Sequence, residues 1–583
     1  MFALLLPLVL GCHAAPPVDR TASFAESTPA RSGDDKALKA LDAWLKLYHS
    51  GKMDLRARNI AGDSIAVKYG ITPKNGLGVP TWLGDLEAIL EAVARIDDAD
   101  AARSLLEVVS VGLDPTGRYT LEMAPYEVRA AGERWAAKLV SAPAKETLAK
   151  AARGELKVEK ARMAAMQTAA VKCLGLIKDR AFRPVLEQAL SSGDELVRNT
   201  AAEALGTLGD EAAAGPLVAL LDRDTVDSVL VAATRSLHAL FWKYLPKPGS
   251  EPAVPAATAD LPEGARLAVR SASQALGRTT WRADMVLIRL FDDFRSLEAV
   301  PALIAQLERF RAHPEEIKSG KLSGLVVYQA HELLVSMTGA VFPADQPEKW
   351  RAFWGAEKDR IVIGNRKPAA AAPPIGNNLC GIPVQGTRVA FLLDLSGPMD
   401  WPMTDESADG INRKMTRLDH AKLELTRAID GLPPNAWFNL ITFNGNPKCE
   451  SWKPTLVPAT KPNREACKKY VDGLRALGGA NLWSGLEEAL KIKSLVYGNR
   501  SSDIDELFLL SNGTPTVGDV QDPIEMLRLV QECNRFASAR ISTVHFDSEV
   551  PQEIRNRGPR MSITPQELMR RMAQENGGRF REL

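Results

Sequence analysis

Asp394 and Ser396 are the residues of this chain whose type and spacing most invite chemistry. They set a carboxylate and a hydroxyl two positions apart in Asp394-Leu395-Ser396-Gly397-Pro398-Met399, at the end of the apolar run Thr387 to Ser396. The plainest role for such a pair is to hydrogen-bond the loop backbone and cap the segment that follows. His331-Glu332 lacks the second histidine of a zinc motif, since position 335 is Val335, and reads as a pair on a helix surface. His545, in an apolar strand with no adjacent cysteine or serine to activate, reads as a satisfied core histidine. Asp503, Asp505 and Glu506 precede a strand and read as solvated turn charges. No GxSxG, Walker-type phosphate loop or GxGxxG occurs, so no catalytic or cofactor-binding residue is assigned and a protein that is not an enzyme is expected.

The six cysteines offer little more. Cys173 falls in a helical region and Cys380, Cys449, Cys467 and Cys533 in or beside the last domain, without the CxxC or Cys/His spacing of a zinc site. In an exported protein some of these four could pair; as free thiols they serve as small hydrophobes. Cys12 differs. It follows Phe2 to Leu10, an apolar run far too short to span a bilayer and best read as a secretory signal, although no Lys or Arg precedes it. Val9-Leu10-Gly11-Cys12 resembles a bacterial lipobox, which implies lipidation at Cys12 and a periplasmic, membrane-anchored or extracellular location. Positions 1–12 are thus read as the signal and 13–35 as a disordered linker.

The elements that must position these residues come in two kinds. From 36 to 360 nearly every long apolar pattern has helical spacing. Within it AAVKCLGLIKDRAFRPVLEQAL, starting at Ala169, aligns with TAAEALGTLGDEAAAGPLVALL, starting at Thr200. Leu174 and Gly175 fall on Leu205 and Gly206, and Pro184 on Pro216; a diverged third copy runs from Leu290 to Ile304. Each unit is a helix, a Gly/Asp turn and a second helix with Pro in its first turn. One such pair cannot bury its apolar stripe alone, so stacked pairs sharing a core are expected. After the Pro/Ala-rich linker at 361–385 the period changes. Short apolar runs at Thr387 to Ser396, Ala436 to Asn444, Asp505 to Asn512 and Ala539 to Asp547 alternate with amphipathic stretches at Leu418 to Leu432, Asn463 to Leu477, Leu482 to Val496 and Pro523 to Ala537. That alternation predicts a mostly parallel sheet wrapped on both faces, with ligands at the carboxyl ends of its strands.

Several segments carry a family resemblance. The repeats resemble HEAT repeats, and Leu334 to Trp354 resembles a closing segment of bacterial proteins that join HEAT repeats to a von Willebrand factor A (VWA) domain; Trp350 and Trp354 share a helix face there and are read as core. The loop from Asp394 to Met399 resembles the first metal-site loop of VWA domains, usually DxSxS. Gly478-Gly479-Ala480-Asn481-Leu482 stands where that family has GGTN, Leu510-Ser511-Asn512-Gly513-Thr514-Pro515 where it has SDGxP, and Leu568 to Leu583 where it has its last helix and edge strand. The resemblance implies an all-α HEAT-like solenoid followed, over 386–583, by a VWA-like doubly wound α/β domain. It also implies metal ligands at Asp394, Ser396 and the Asn512 position, around a hard cation such as Mg2+. The departures weaken that implication, because the second serine is Pro398, the threonine is Ala480 and the distal aspartate is Asn512, none of which brings a charged oxygen.

Composition bounds the rest. With 583 residues and 63.3 kDa the chain needs more than one core. Its 73 Lys and Arg nearly balance 72 Asp and Glu, and no dense basic run is interleaved with aromatics, so nucleic acid is a poor partner. The expectation is a non-catalytic scaffold that binds protein at the cell envelope through a degenerate metal-site motif. The alternatives are a Mg2+-dependent adhesin and an accessory subunit that docks to an ATPase or hydrolase.

Overall fold

The computed structural model describes residues 31–53, 55, 64–74, 81–113, 123–245, 261–361, 377–403, 415–446, 449–491, 502–546 and 561–583. The export segment with Cys12 and most of the linker at 361–385 lie outside them. By compactness the described residues divide after Trp242 into two units.

The first unit, up to Trp242, is helical throughout its described residues, from Arg31–His49 to Asp227–Phe241. Its repeat is built as the spacing predicts. Helix Met163–Ile177, the 3-10 turn Arg180–Phe182 and helix Arg183–Ala189 are followed by Glu195–Leu208, Glu211–Ala213 and Ala214–Arg223. The same device starts each second half, because Asp179 accepts the Ala181 N–H (3.1 Å) and Asp210 the Ala212 N–H (3.2 Å). Helix Met163–Ile177 lies along Glu195–Leu208, which in turn lies along Asp227–Phe241. Glycine permits that approach: a Cβ on Gly175 would stand 2.8 Å from the Ala204 Cα, and one on Gly206, 31 positions later, 2.9 Å from the Ser236 Cα. The matched glycines mark one seam between successive pairs.

The third copy belongs to the second unit. Helix Trp281–Asp293, turn Leu297–Ala299 and helix Val300–Ala312 repeat the pattern, with Ser296 accepting the Glu298 N–H (3.2 Å) in place of the aspartate. Helix Gly324–Thr338 and the closing helix Pro347–Glu357 follow. Trp350 is the plug. It is fully buried, donates to the Pro343 carbonyl (3.3 Å) and meets the His331 and Phe342 rings edge-on, whereas Trp354 is only half-buried. His331 Nε2 is spent on the Phe342 carbonyl (2.7 Å), in keeping with a structural role.

The rest of this unit is an α/β body. A hairpin of β1 (Asn378–Leu379) and β2 (Ile382–Pro383) precedes β3 (Arg388–Asp394), β4 (Trp437–Phe443), β5 (Glu450–Ser451), β6 (Val457–Pro458), β7 (Glu506–Ser511), β8 (Arg540–His545) and β9 (Gly577–Glu582). The sheet order is β5-β4-β3-β7-β8-β9, with β6 also on β4; β3, β4, β7, β8 and β9 run parallel, and only the short β5 and β6 are antiparallel. Helices Arg417–Asp430 and Lys461–Gly473 pack against Phe391, Leu393, Phe438, Leu440, Phe508 and Leu510 on one face. On the other, helix Leu482–Leu490 brings Gly485 against Leu392 and Phe443, and helix Pro565–Glu575 receives the Thr543 hydroxyl on the Met569 carbonyl. Burial on both faces explains why these strands read as continuous apolar runs.

Asp505 and Glu506 are not solvated turn charges; both are fully buried, and only Asp503 stays in solvent. They sit at the amino ends of the parallel strands, where backbone N–H groups lack ladder partners. Asp505 accepts from the Thr387 N–H (2.9 Å), the Arg388 N–H (3.0 Å), the Thr387 hydroxyl (3.1 Å) and the Ser323 hydroxyl (2.6 Å), the last at the cap of helix Gly324–Thr338. Glu506 accepts from the Gln385 and Gly386 N–H groups (2.9 and 2.6 Å) and pairs with Arg540. Arg282 adds a bond to the Ser502 carbonyl (2.7 Å). This end of the sheet is a sealed polar joint between the last helical repeats and the α/β body.

Candidate functional site

The opposite, carboxyl end of the sheet gathers the motif loops. From β3 the chain moves out to β4 on one side, while β7 lies on the other, so the order reverses beside β3 and leaves a crevice at the strand ends. Asp394 closes β3 and Ser511 closes β7. Three loops meet over them: Leu395 N–H donates to the Phe443 carbonyl (2.8 Å), Leu477 N–H to Leu395 (2.7 Å) and Gly397 N–H to Gly478 (2.8 Å). Ala480 and Thr516 hold the third loop, through Ala480 N–H to the Thr516 hydroxyl (2.8 Å) and Thr516 N–H to the Ala480 carbonyl (3.0 Å). Gly513 has φ +70°, and a Cβ there would stand 2.8 Å from the Pro565 carbonyl, so the third loop requires glycine.

The folded chain brings Asp394, Ser396 and Asn512 together, with each polar group committed differently. One Asp394 oxygen accepts the Ser396 N–H (2.7 Å) and the other the Ser511 hydroxyl (2.7 Å). Complete burial pushes this carboxyl above the ordinary carboxylate range, and the bonds from Ser511, Ser396 and the Asn512 backbone offset that only in part. Asn512 spends its side-chain carbonyl on the Thr514 N–H (2.9 Å), and its backbone carbonyl meets Nε2 of the buried His545 at 3.1 Å. The Ser396 hydroxyl is buried and makes no hydrogen bond of ordinary geometry, so Ser396 does not cap the 3-10 turn Gly397–Asp400 with its side chain. Sequence reasoning missed Arg417. Its buried guanidinium donates to the Pro398 carbonyl (3.1 Å) and lies over the Trp401 ring, tying down the loop from beneath.

This donor set does not fit a resident divalent cation. The Ser396 hydroxyl is available as an oxygen ligand, but it stands alone. Among the described residues of the set, the carboxylate of Asp394 is occupied on both oxygens and shifted towards its neutral form, Pro398 and Ala480 bring no side-chain oxygen, and the Asn512 carbonyl is already bonded. Mg2+ needs near-octahedral oxygen ligation. Among the described residues no group of three or more His, Cys, Asp or Glu is placed to hold a metal. Cys173, Cys380, Cys449 and Cys467 are free thiols; burial pushes Cys380 and Cys467 up to about 12 and Cys449 up to about 11, far from nucleophilic thiolates.

The chain therefore carries HEAT repeats and, at its carboxyl end, a VWA-like doubly wound α/β domain. Residues 156–238 match the HEAT repeat family directly. Among curated proteins the chain is similar to inter-alpha-trypsin inhibitor heavy chain H4 of Bos taurus, at 30% identity over 150 residues, which are 25% of this chain and 14% of that protein. It is 32% identical to heavy chain H2 of Sus scrofa over 140 residues, 23% of this chain and 13% of the relative. The chain thus spans about one-seventh of the H4 relative's length. Of solved structures, von Willebrand factor type A from Catenulispora acidiphila matches at 22% identity and a TM-score of 0.24, covering 34% of this chain and 38% of that one.

Proposed function

We propose that this protein is a non-catalytic protein-binding scaffold whose VWA-like domain engages its partner at the strand-end crevice without a resident metal ion. The observation that carries the reading is the state of Asp394, a carboxylate at the strand ends that is buried and bonded on both oxygens to its own loops. An apolar contact takes the place of metal-bridged recognition. Leu477, on the loop bonded to Leu395, is 73% exposed at the rim, where it offers a partner an apolar contact. HEAT repeats and VWA-like domains are both typical interaction modules, which supports a scaffold made of the two.

Calorimetric titration of the full chain with Mg2+ and with Mn2+ tests the metal-free reading. Flat titrations are expected, whereas micromolar binding that disappears in Asp394→Ala would favour the adhesin. Proximity labelling with the full chain is expected to enrich partner proteins that drop out with Leu477→Asp; turnover of a substrate abolished by a crevice substitution would overturn the non-catalytic reading. An address at the cell envelope, through export and lipidation at Cys12, belongs to the same proposal and rests on the first twelve residues. Cys12→Ser should move the protein from the detergent phase to the aqueous phase, and unchanged partition would remove the anchor from the reading.

A further inference from the structure

We propose that the outer edge of β9 is a second docking site, which takes an extended acidic segment of a partner protein as an added strand. β9 is the last strand of the sheet, and no described strand pairs with its outer side. Its register on β8 sets Phe580 opposite Thr543, Arg581 opposite Val544 and Glu582 opposite His545. The Leu583 N–H donates to the His545 carbonyl (2.9 Å) and the Arg579 N–H to the Ser542 hydroxyl (3.2 Å). Odd-numbered residues thus turn their backbone groups inward to β8, and Phe580 and Glu582 turn theirs outward, away from the sheet. An incoming strand finds a short row of donors and acceptors there, the backbone part of recognition by strand addition.

The side chains state what kind of strand. Arg579 and Arg581 alternate on one face, and both are exposed. Neither takes part in an ion pair among the described residues, whereas the neighbouring Arg570 and Arg571 are paired with Glu567 (3.1 Å) and Glu575 (2.7 Å). Phe580, on the other face, is half-buried beneath the Arg570 guanidinium, 5.1 Å from its ring. Directly opposed residues on adjacent strands bring their Cβ atoms to about 5 Å. Acidic residues two apart in the added strand would therefore face the two arginines, with an apolar residue between them beside Phe580. Arginines on an edge disfavour neutral strands, which would desolvate them without compensation, and repel basic ones. The same charges admit an acidic one, so a single device both guards the edge and selects its occupant.

Fluorescence anisotropy with the full chain tests this, using a labelled extended peptide centred on Glu-Val-Glu. The expected result is saturable binding, weakened about tenfold by Arg579→Glu together with Arg581→Glu, the effect of two exposed ion pairs reversed in sign. Binding should be lost when alternate peptide amides are N-methylated in the pairing register, and a Lys-Val-Lys peptide should not bind. Glu582→Pro removes one outward N–H at an exposed edge position, where proline is tolerated, and should weaken binding beyond Glu582→Ala, which loses the same side-chain contacts with Gln566 and His545 but keeps the N–H. The proposal is overturned by absence of binding, by binding indifferent to the arginine reversals or to N-methylation in both registers, or by equal binding of an oligonucleotide of the same charge.

Discussion

Asp394 has both oxygens satisfied yet keeps a carboxyl raised by burial, and the sign of that shift has a consequence for stability. A carboxyl with a higher pKa in the folded than in the unfolded chain holds its proton longer when folded. Its contribution is fully present below the unfolded value near 3.8 and is lost as pH rises through the folded one. At neutral pH the charge opposes folding. Asp394→Asn keeps a carbonyl for the Ser396 N–H and an amide that the Ser511 oxygen can accept, so it should raise the melting temperature at pH 7. The rise is expected to be about 2–4 °C per kcal/mol recovered, shrinking as pH is lowered towards 4. A variant destabilised at pH 7, with the loss shrinking as pH is lowered, would show instead that the charged form holds the loops. The sequence made Asp394, Ser396 and Asn512 legible as a cluster because the motif loops keep their order, and Pro398 and Ala480 announced the missing ligands. Asp505 and Glu506 were illegible for a different reason: adjacent acids before a strand look alike whether or not donors from residues 323 and 387 arrive to bury them.

At the scale of elements, the repeat is the clearest case of pattern turning into packing. Spacing of Leu, Gly and Pro predicts paired helices, and the structure adds why the glycines recur, since each removes a side chain from the seam with the next pair. Gly175→Ala and Gly206→Ala should each lower unfolding stability by about 1–2 kcal/mol in urea, the overpacking penalty less the helix-propensity gain of alanine. Gly193→Ala, where a Cβ would meet nothing within 4 Å, should leave stability unchanged or slightly raised. Equal effects at all three positions would remove the seam as the reason for the pattern. In the α/β body β3, β4, β7 and β8 were legible because both faces are buried, while β1, β2, β5 and β6 are two residues each and depend on partners no local pattern reveals. Helix Leu482–Leu490 also ends before the predicted Val496, at Lys491, which turns left-handed with φ 55°.

For the whole molecule, the question is where an independent piece begins. The change of period at 361–385 suggests a boundary there, but compactness divides the described residues after Trp242 and keeps helices Glu263–Ala275 to Pro347–Glu357 with the sheet. The reason is the joint around Asp505, whose donors include Ser323 from the helical side and Thr387 and Arg388 from the sheet side. The Gly324 N–H also bonds the Thr387 hydroxyl (3.2 Å), and a Cβ on Gly324 would stand 3.0 Å from the Gln385 carbonyl, so backbone meets backbone across the joint. Cutting the chain at 386 takes the Ser323 donor from Asp505 and the Gln385 donor from Glu506, and a hydrogen bond to a charged group contributes about 1.5–3 kcal/mol, less where water replaces the donor. A piece spanning 386–583 should therefore unfold at lower denaturant than one spanning 261–583, with a broader transition, while the longer piece melts cooperatively. Asp505→Ala in the longer piece should bring most of the same loss. If the two pieces unfold alike, the joint is a contact between bodies that fold separately, and the sheet needs no helical neighbour to hold its amino end.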